Sequence, residues 1–77
     1  MSVPLLIQPN MEVLGSDGDH VGFVDHIENS SEVRLAKDDP DAGGEYRFIP
    51  IAWVRYVGMK VHLKQPADEA KAHWTTH

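Results

Sequence analysis

A small, mainly β barrel with a short C-terminal helix is the fold this sequence predicts, and three observations predict it. Short apolar runs, alternating or slipping in register, are separated by turn residues along most of the chain. A glycine-punctuated phrase, Gly15-Ser-Asp-Gly-Asp-His-Val-Gly-Phe-Val-Asp-His-Ile, leads from a turn into a strand. A later run, Phe48-Ile-Pro-Ile-Ala-Trp-Val, breaks a strand at proline and pins it with tryptophan. Five to six strands and one helix fit the 77 residues. Residues 1–10 read as an extended arm, 11–64 as the β domain, and 65–77 as a helix with its tail.

The elements follow in order. Pro4 and Pro9 deny the arm a regular helix, so Leu5, Leu6 and Ile7 need cover. That cover comes either from the barrel mouth or from a neighbouring subunit. Residues 11–14 form a first strand, closed by a turn in which Gly15 and Gly18 supply conformational freedom. Residues 20–28 form a second strand with a bulge at Gly22. Val21 and Val24 lie three apart, and both face inward only if the two-residue alternation slips between them. A turn at 29–31 returns the chain into a strand at 33–36.

Lys37-Asp-Asp-Pro-Asp-Ala-Gly-Gly is a loop by composition. Residues 45–51 alternate as a strand that ends at Pro50, and 52–55 read as a tight turn. Residues 57–63 read as one strand, with Val57, Met59, Val61 and Leu63 on the same face. Residues 66–74 read as a helix. Pro66 opens it, Asp68 and Glu69 occupy its first turn, and Ala67, Ala70 and Trp74 share a face.

Composition removes several function classes. Twelve acidic and seven basic side chains give a net charge of −5, which works against non-specific binding to phosphate backbones. With no cysteine, neither a disulfide nor a thiolate metal site exists. The apolar run near the N-terminus is too short for a membrane span or a signal segment, so a soluble cytoplasmic protein is expected. No Gly-x-Ser-x-Gly elbow or Gly-Lys-Ser/Thr phosphate loop occurs, and Gly15, Gly18 and Gly22 lack dinucleotide-binding spacing. No enzymatic activity and no cofactor are expected.

Three constellations remain. Asp17, Asp19, His20, Asp25 and His26 offer metal-ligand chemistry, yet the bulge at Gly22 spoils the parity of the two histidines. A glycine-rich turn also uses Asp17 and Asp19 on its own backbone. The solvated turn is therefore the preferred reading, and no metal is assigned. Asp38, Asp39, Asp41 and Glu45 fail as a calcium loop, because counting from Asp39 places Pro50 where a bidentate glutamate belongs. They read as a flexible acidic loop open to a basic partner. The run from Tyr46 to Tyr56 interleaves aromatics with Arg47 and Arg55, as a single-stranded RNA reader would. Phe48 and Trp53 are, however, natural core anchors for so small a barrel.

With these residues in place, the chain resembles the PRC-barrel superfamily. That superfamily includes the small barrel of the photosynthetic reaction-centre H subunit and that of a ribosome-maturation factor that binds a small-subunit ribosomal protein. The resemblance rests on Asp17-Gly18 followed by Val21-Gly22-Phe23-Val24, on Ile49-Pro50 with Trp53, and on the closing run 57–63. It covers residues 11–63. More narrowly, the run 15–27, the Asp-Pro-Asp-Ala-Gly-Gly loop and the Ala-Asp-Glu-Ala-Lys-Ala tail look like a small uncharacterised bacterial family within it.

The resemblance implies an adaptor style of work and carries no catalytic residue. The expected function is a non-enzymatic interaction module for an unidentified protein partner, with a homodimer as an alternative. Its expected contacts are Leu5, Leu6, Ile7, Arg47, Arg55, Tyr56 and Trp74. Gly15, Gly18, Gly22, Pro50 and Trp53 are expected to shape turns and core. A rival reading is a ribosome- or RNA-associated factor working through Arg47, Arg55, Lys60 and Lys64. A third is a metal- or small-ligand-binding domain centred on His20.

Overall fold

The computed structural model describes residues 6–29 and 31–76; Leu5 and the rest of the arm before it lie outside that range. The chain runs β1 (Glu12–Leu14), β2 (His20–Asn29), β3 (Glu32–Leu35), a 3-10 turn (Pro40–Ala42), β4 (Arg47–Pro50), a second 3-10 turn (Ile51–Trp53), β5 (Val54–Val57), β6 (Val61–Leu63) and α1 (Ala67–His73). The strands form one six-stranded sheet in the order β4-β3-β2-β1-β6-β5. All neighbours pair antiparallel except β1 and β6, which run parallel. The expected mainly β fold with a terminal helix is present.

The sheet is not closed into a barrel, because β4 and β5 end it without pairing. Yet the 3-10 turn Ile51–Trp53 joins those two end strands directly. Four Cα–Cα steps reach at most about 14 Å, so the two ends must lie near each other. The sheet is thus curled and barrel-like without a closing ladder. The C-terminal tail covers part of the free edge of β4, where Phe48 and Thr75 exchange backbone hydrogen bonds of 2.8 and 3.1 Å.

The curl originates in β2. Its register slips against β1 between His20 and Gly22, and against β3 between Val24 and His26 and again between Ile27 and Asn29. Each slip leaves one residue of β2 unopposed, which bends the strand and deepens its twist. The first slip lets Val21 and Val24 both bury fully, as their three-residue spacing requires. At Gly22 an added Cβ would sit 3.3 Å from Leu35 Cδ1, so the bulge brings β2 close to the β3 side chains.

The core gathers Val13, Val21, Val24, Val33, Leu35, Ile49, Val61 and Leu63, with Ala67 and Ala70 of α1 packed on it. Ile7 joins them at 6% exposure. Of the two destinations open to that part of the arm, the chain's own core takes Ile7. At Gly15 the chain after β1 lies close against the start of the helix: a Cβ there would lie 2.2 Å from the Ala67 backbone nitrogen. Gly18 holds φ at +85° in the turn between β1 and β2. Pro50 closes β4 as expected.

Two expectations need correction. The run 57–63 is not one strand. β5 ends at Val57, the chain reverses through 58–60, and β6 returns antiparallel from Val61. Met59, expected on the same face as Val61 and Leu63, which are buried, instead stands 95% exposed at the tip of that hairpin. The period-two alternation runs unbroken through the reversal, so pattern alone cannot reveal it. The tight turn expected at 52–55 is instead the end of a 3-10 turn followed by the start of β5. Trp53 accordingly packs against the margin of the core, partly buried, and is not at its centre.

Candidate functional site

The face of the sheet turned away from the core carries the candidate site. Val13 and Val61 point inward, so their neighbours Glu12, Leu14 and His62 point outward. Leu14 lies opposite His20 on β2 and opposite His62 on β6, and His62 lies opposite Tyr56 on β5. One row, His20–Leu14–His62–Tyr56, therefore crosses four strands. The Tyr56 and His62 rings stack with centroids 4.2 Å apart and planes inclined by 10°. Phe23, opposite Glu12, lies beside the row with its ring 5.0 Å from that of His20. Phe23 and Tyr56 are 41% and 52% exposed.

Charge is segregated along the sequence. Four of the seven cations and none of the twelve carboxylates fall between residues 46 and 67. Arg47 is occupied: its Nε donates to the Ala42 carbonyl at 2.9 Å, and its guanidinium stands 5.3 Å from the Trp74 ring. Lys60 pairs with Glu12 at 2.9 Å. Arg55 and Lys64 are exposed and make no ion pair among the described residues. The four cations expected to act together thus divide into two engaged and two available.

His20 anchors one end of the row. Its Nδ1 lies 2.8 Å from Glu12 Oε2, and its Nε2 lies 2.5 Å from Asp39 Oδ2. The Asp39 side chain is only 2% exposed. Its other oxygen accepts the Asp41 amide at 2.9 Å, capping the 3-10 turn at 40–42. Asp41 in turn accepts from Lys71 of α1 at 2.7 Å. Burial would lower the His20 pKa, but the hydrogen bonds to Asp39 and Glu12 outweigh it and leave it raised. The Lys60 ammonium and then His20 hold Glu12 below the usual carboxylate value, and Lys71 does the same for Asp41.

Ligand-type atoms of His20, Asp39 and Asp41 lie within 4.8 Å of one another. Three carboxylates there meet His20, Lys60 and Lys71, so the group is a charge-balanced ion-pair network. The other residues considered for a metal stand elsewhere. Asp17 accepts from the Asp19 amide at 3.2 Å and from the Ala67 amide at 3.3 Å, tying the turn to the start of α1. Those two amides, Asp19 first, hold its carboxyl low. Asp19 is an exposed turn residue. His26 belongs to a separate surface cluster with Asp25, Glu28 and Arg34.

Of the expected partner contacts, Arg55 and Tyr56 lie exposed on the β5–β6 hairpin and Leu6 is exposed before β1. Arg47 and Trp74 face each other and are partly buried. A shallow groove of about 360 Å³ opens between Lys37, Glu45, Tyr46, Phe48 and Thr76. The Arg34 guanidinium and the Lys37 ammonium lie 4.2 and 5.3 Å from the centre of the Tyr46 ring.

Glu12, Leu14, Phe23 and His62 are the site residues that sequence reasoning missed, and Asp39 read only as one acid of a flexible loop. Asp39 had a usable signal, since an aspartate just before Pro40 fits a helix cap followed by proline at the first position. No helix among the described residues is long and apolar enough to cross a membrane. The model of a family described as an uncharacterized protein conserved in bacteria (DUF2171) matches residues 7–71. A search of curated proteins finds no match.

Proposed function

The chain belongs to the bacterial DUF2171 family, and on that premise we propose that it is a non-enzymatic, cytoplasmic interaction module. It docks a protein partner on the outer face of its sheet. The observation that carries this reading is the row His20–Leu14–His62–Tyr56 with Phe23 beside it. Partly exposed aromatic side chains held on paired strands offer large contact area at little ordering cost, which is what protein interfaces select. Arg55 and Lys64 add charge available to a partner at the same hairpin. The likeness of the Asp17-Gly18, Val21-Gly22 and Ile49-Pro50 pieces to PRC-barrel domains supports the same reading, because such barrels mostly serve as adaptors. Nucleic acid is disfavoured: with Arg47 and Lys60 engaged, few cations remain to release counterions.

The test is affinity capture of the tagged chain from its bacterial host at low and high salt, in parallel with Phe23→Ser and Tyr56→Ser. Both residues are exposed, so both variants are expected to keep the wild-type melting temperature. The expected result is one stoichiometric protein that survives high salt and is lost with either variant. Recovery of RNA that high salt removes would replace this reading with the nucleic-acid one. Recovery of the chain alone, with self-association in sedimentation, would make the partner a second copy.

A further inference from the structure

The loop between β3 and β4 carries four carboxylates, yet it lies against a sheet face and a helix that it must grip. Asp39 grips His20, Asp41 grips Lys71 and the Ala42 carbonyl grips Arg47. The first of these differs from the others in kind. An ionised carboxylate only accepts hydrogen bonds, and both ring nitrogens of His20 face carboxylate oxygens. Both nitrogens must therefore donate, which only the imidazolium does.

The proton also balances the surroundings. The groups facing His20 are Glu12 of β1, Asp39 and Asp41 of the loop and the Phe23 ring of β2. Lys60, ahead of β6, reaches Glu12, and Lys71 of α1 reaches Asp41. Three carboxylates thus meet three cations. If His20 loses its proton, one ring nitrogen turns a lone pair toward a carboxylate and the network carries one uncompensated negative charge. Glu12 keeps Lys60 and the more exposed position. Asp39, almost fully buried, keeps among the described residues only the amide it caps. An uncompensated buried charge is the costlier of the two, so Asp39 is the group that must move.

We propose that His20 is a proton-operated latch: charged, it holds the acidic loop against the sheet, and neutral, it releases Asp39 and lets the loop swing out. The loop supplies Lys37, Gly44, Glu45 and Tyr46 to the open groove, so release reshapes that groove. The raised His20 pKa agrees with the geometry and sets the opening above the ordinary imidazole value of 6.5. The latch does not depend on the docking reading, and it stands or falls separately.

The experiment is a pH titration of the full chain by NMR, following the His20 ring nitrogens together with amide-exchange protection at Asp41 and Ala42. Both amides are bonded to Asp39. Protection there should fall as His20 loses its proton, by about tenfold for each unit separating its pKa in the closed and open states. Protection at core amides of β3 and β4 should stay flat. His20→Gln should abolish the pH dependence, and Asp39→Asn should lower the His20 midpoint and leave the loop open throughout. If His20→Gln fails to fold, Asp39→Asn alone decides. A neutral ring below pH 6, loop protection indifferent to His20, or an unmoved midpoint in Asp39→Asn would each overturn the latch.

Discussion

His20 and His26 lie on the same strand, and each has a carboxylate oxygen within 3.0 Å of both ring nitrogens. The donor and acceptor types match. What differs is where the carboxylates come from. Those around His26 are Asp25 and Glu28, its near neighbours in sequence, with side chains 30% and 39% exposed. Those around His20 are Glu12 and Asp39, 8 and 19 residues away, and Asp39 is almost fully buried. One cluster decorates a hairpin; the other ties β1, β2 and a long loop together. A list of hydrogen bonds does not distinguish them, whereas sequence separation and burial do.

Removing one carboxylate from each cluster gives the largest expected contrast. Asp39→Ala deletes a buried charge-assisted hydrogen bond and the cap of the 3-10 turn, and should cost about 3 kcal/mol. Asp25→Ala removes a partly exposed partner of His26 and Arg34, and should cost about 1 kcal/mol or less. Urea unfolding of both variants measures the two. Equal losses would break the comparison, because burial would then count for nothing.

The pH dependence of stability should isolate the His20 contribution next. His20 has its pKa raised on folding, so its stabilisation is full below about 6.5 and is lost as pH rises through the folded value. His20→Gln should flatten that alkaline decline. The acid limb has other origins. Glu12, Asp25 and Asp41 are held low by Lys60, Arg34 and Lys71 respectively, so they stabilise above about pH 4 and that contribution fades as pH falls through their folded values. Thermal melts across the pH range would show both limbs. An alkaline decline that survives His20→Gln would assign it to another group.

The same contrast explains how much of this molecule is legible in its sequence. Local relations read well. The spacing of Val21 and Val24 announced the bulge, Pro50 announced the end of β4, and Pro66 with Asp68 and Glu69 announced α1. The β5–β6 reversal did not show, because Val57, Met59, Val61 and Leu63 keep the alternation of a single strand across it. The site was half legible. His20 and Tyr56 stood out by residue type, but the row joining them depends on a parallel β1–β6 pairing that no local pattern encodes. Asp39 read as one acid among several in a flexible loop, since its burial follows from a partner on β2.

The smallest expected effect is the most discriminating about mechanism. A double-mutant cycle on His26 and Glu28 should give a coupling of about 0.3 kcal/mol at low salt, because both side chains remain in water and are costly to order. Raising ionic strength to 1 M shortens the screening length to about 3 Å, so that coupling should approach zero. The cycle on His20 and Asp39 should keep most of its coupling under the same salt, because ions do not reach a carboxylate buried against the ring. Run at one fixed acidic pH, the two cycles differ only in surroundings. A His20–Asp39 coupling that salt removes as readily would mean that water enters the site. The loop would then be held by Lys71 and Arg47, with His20 a bystander.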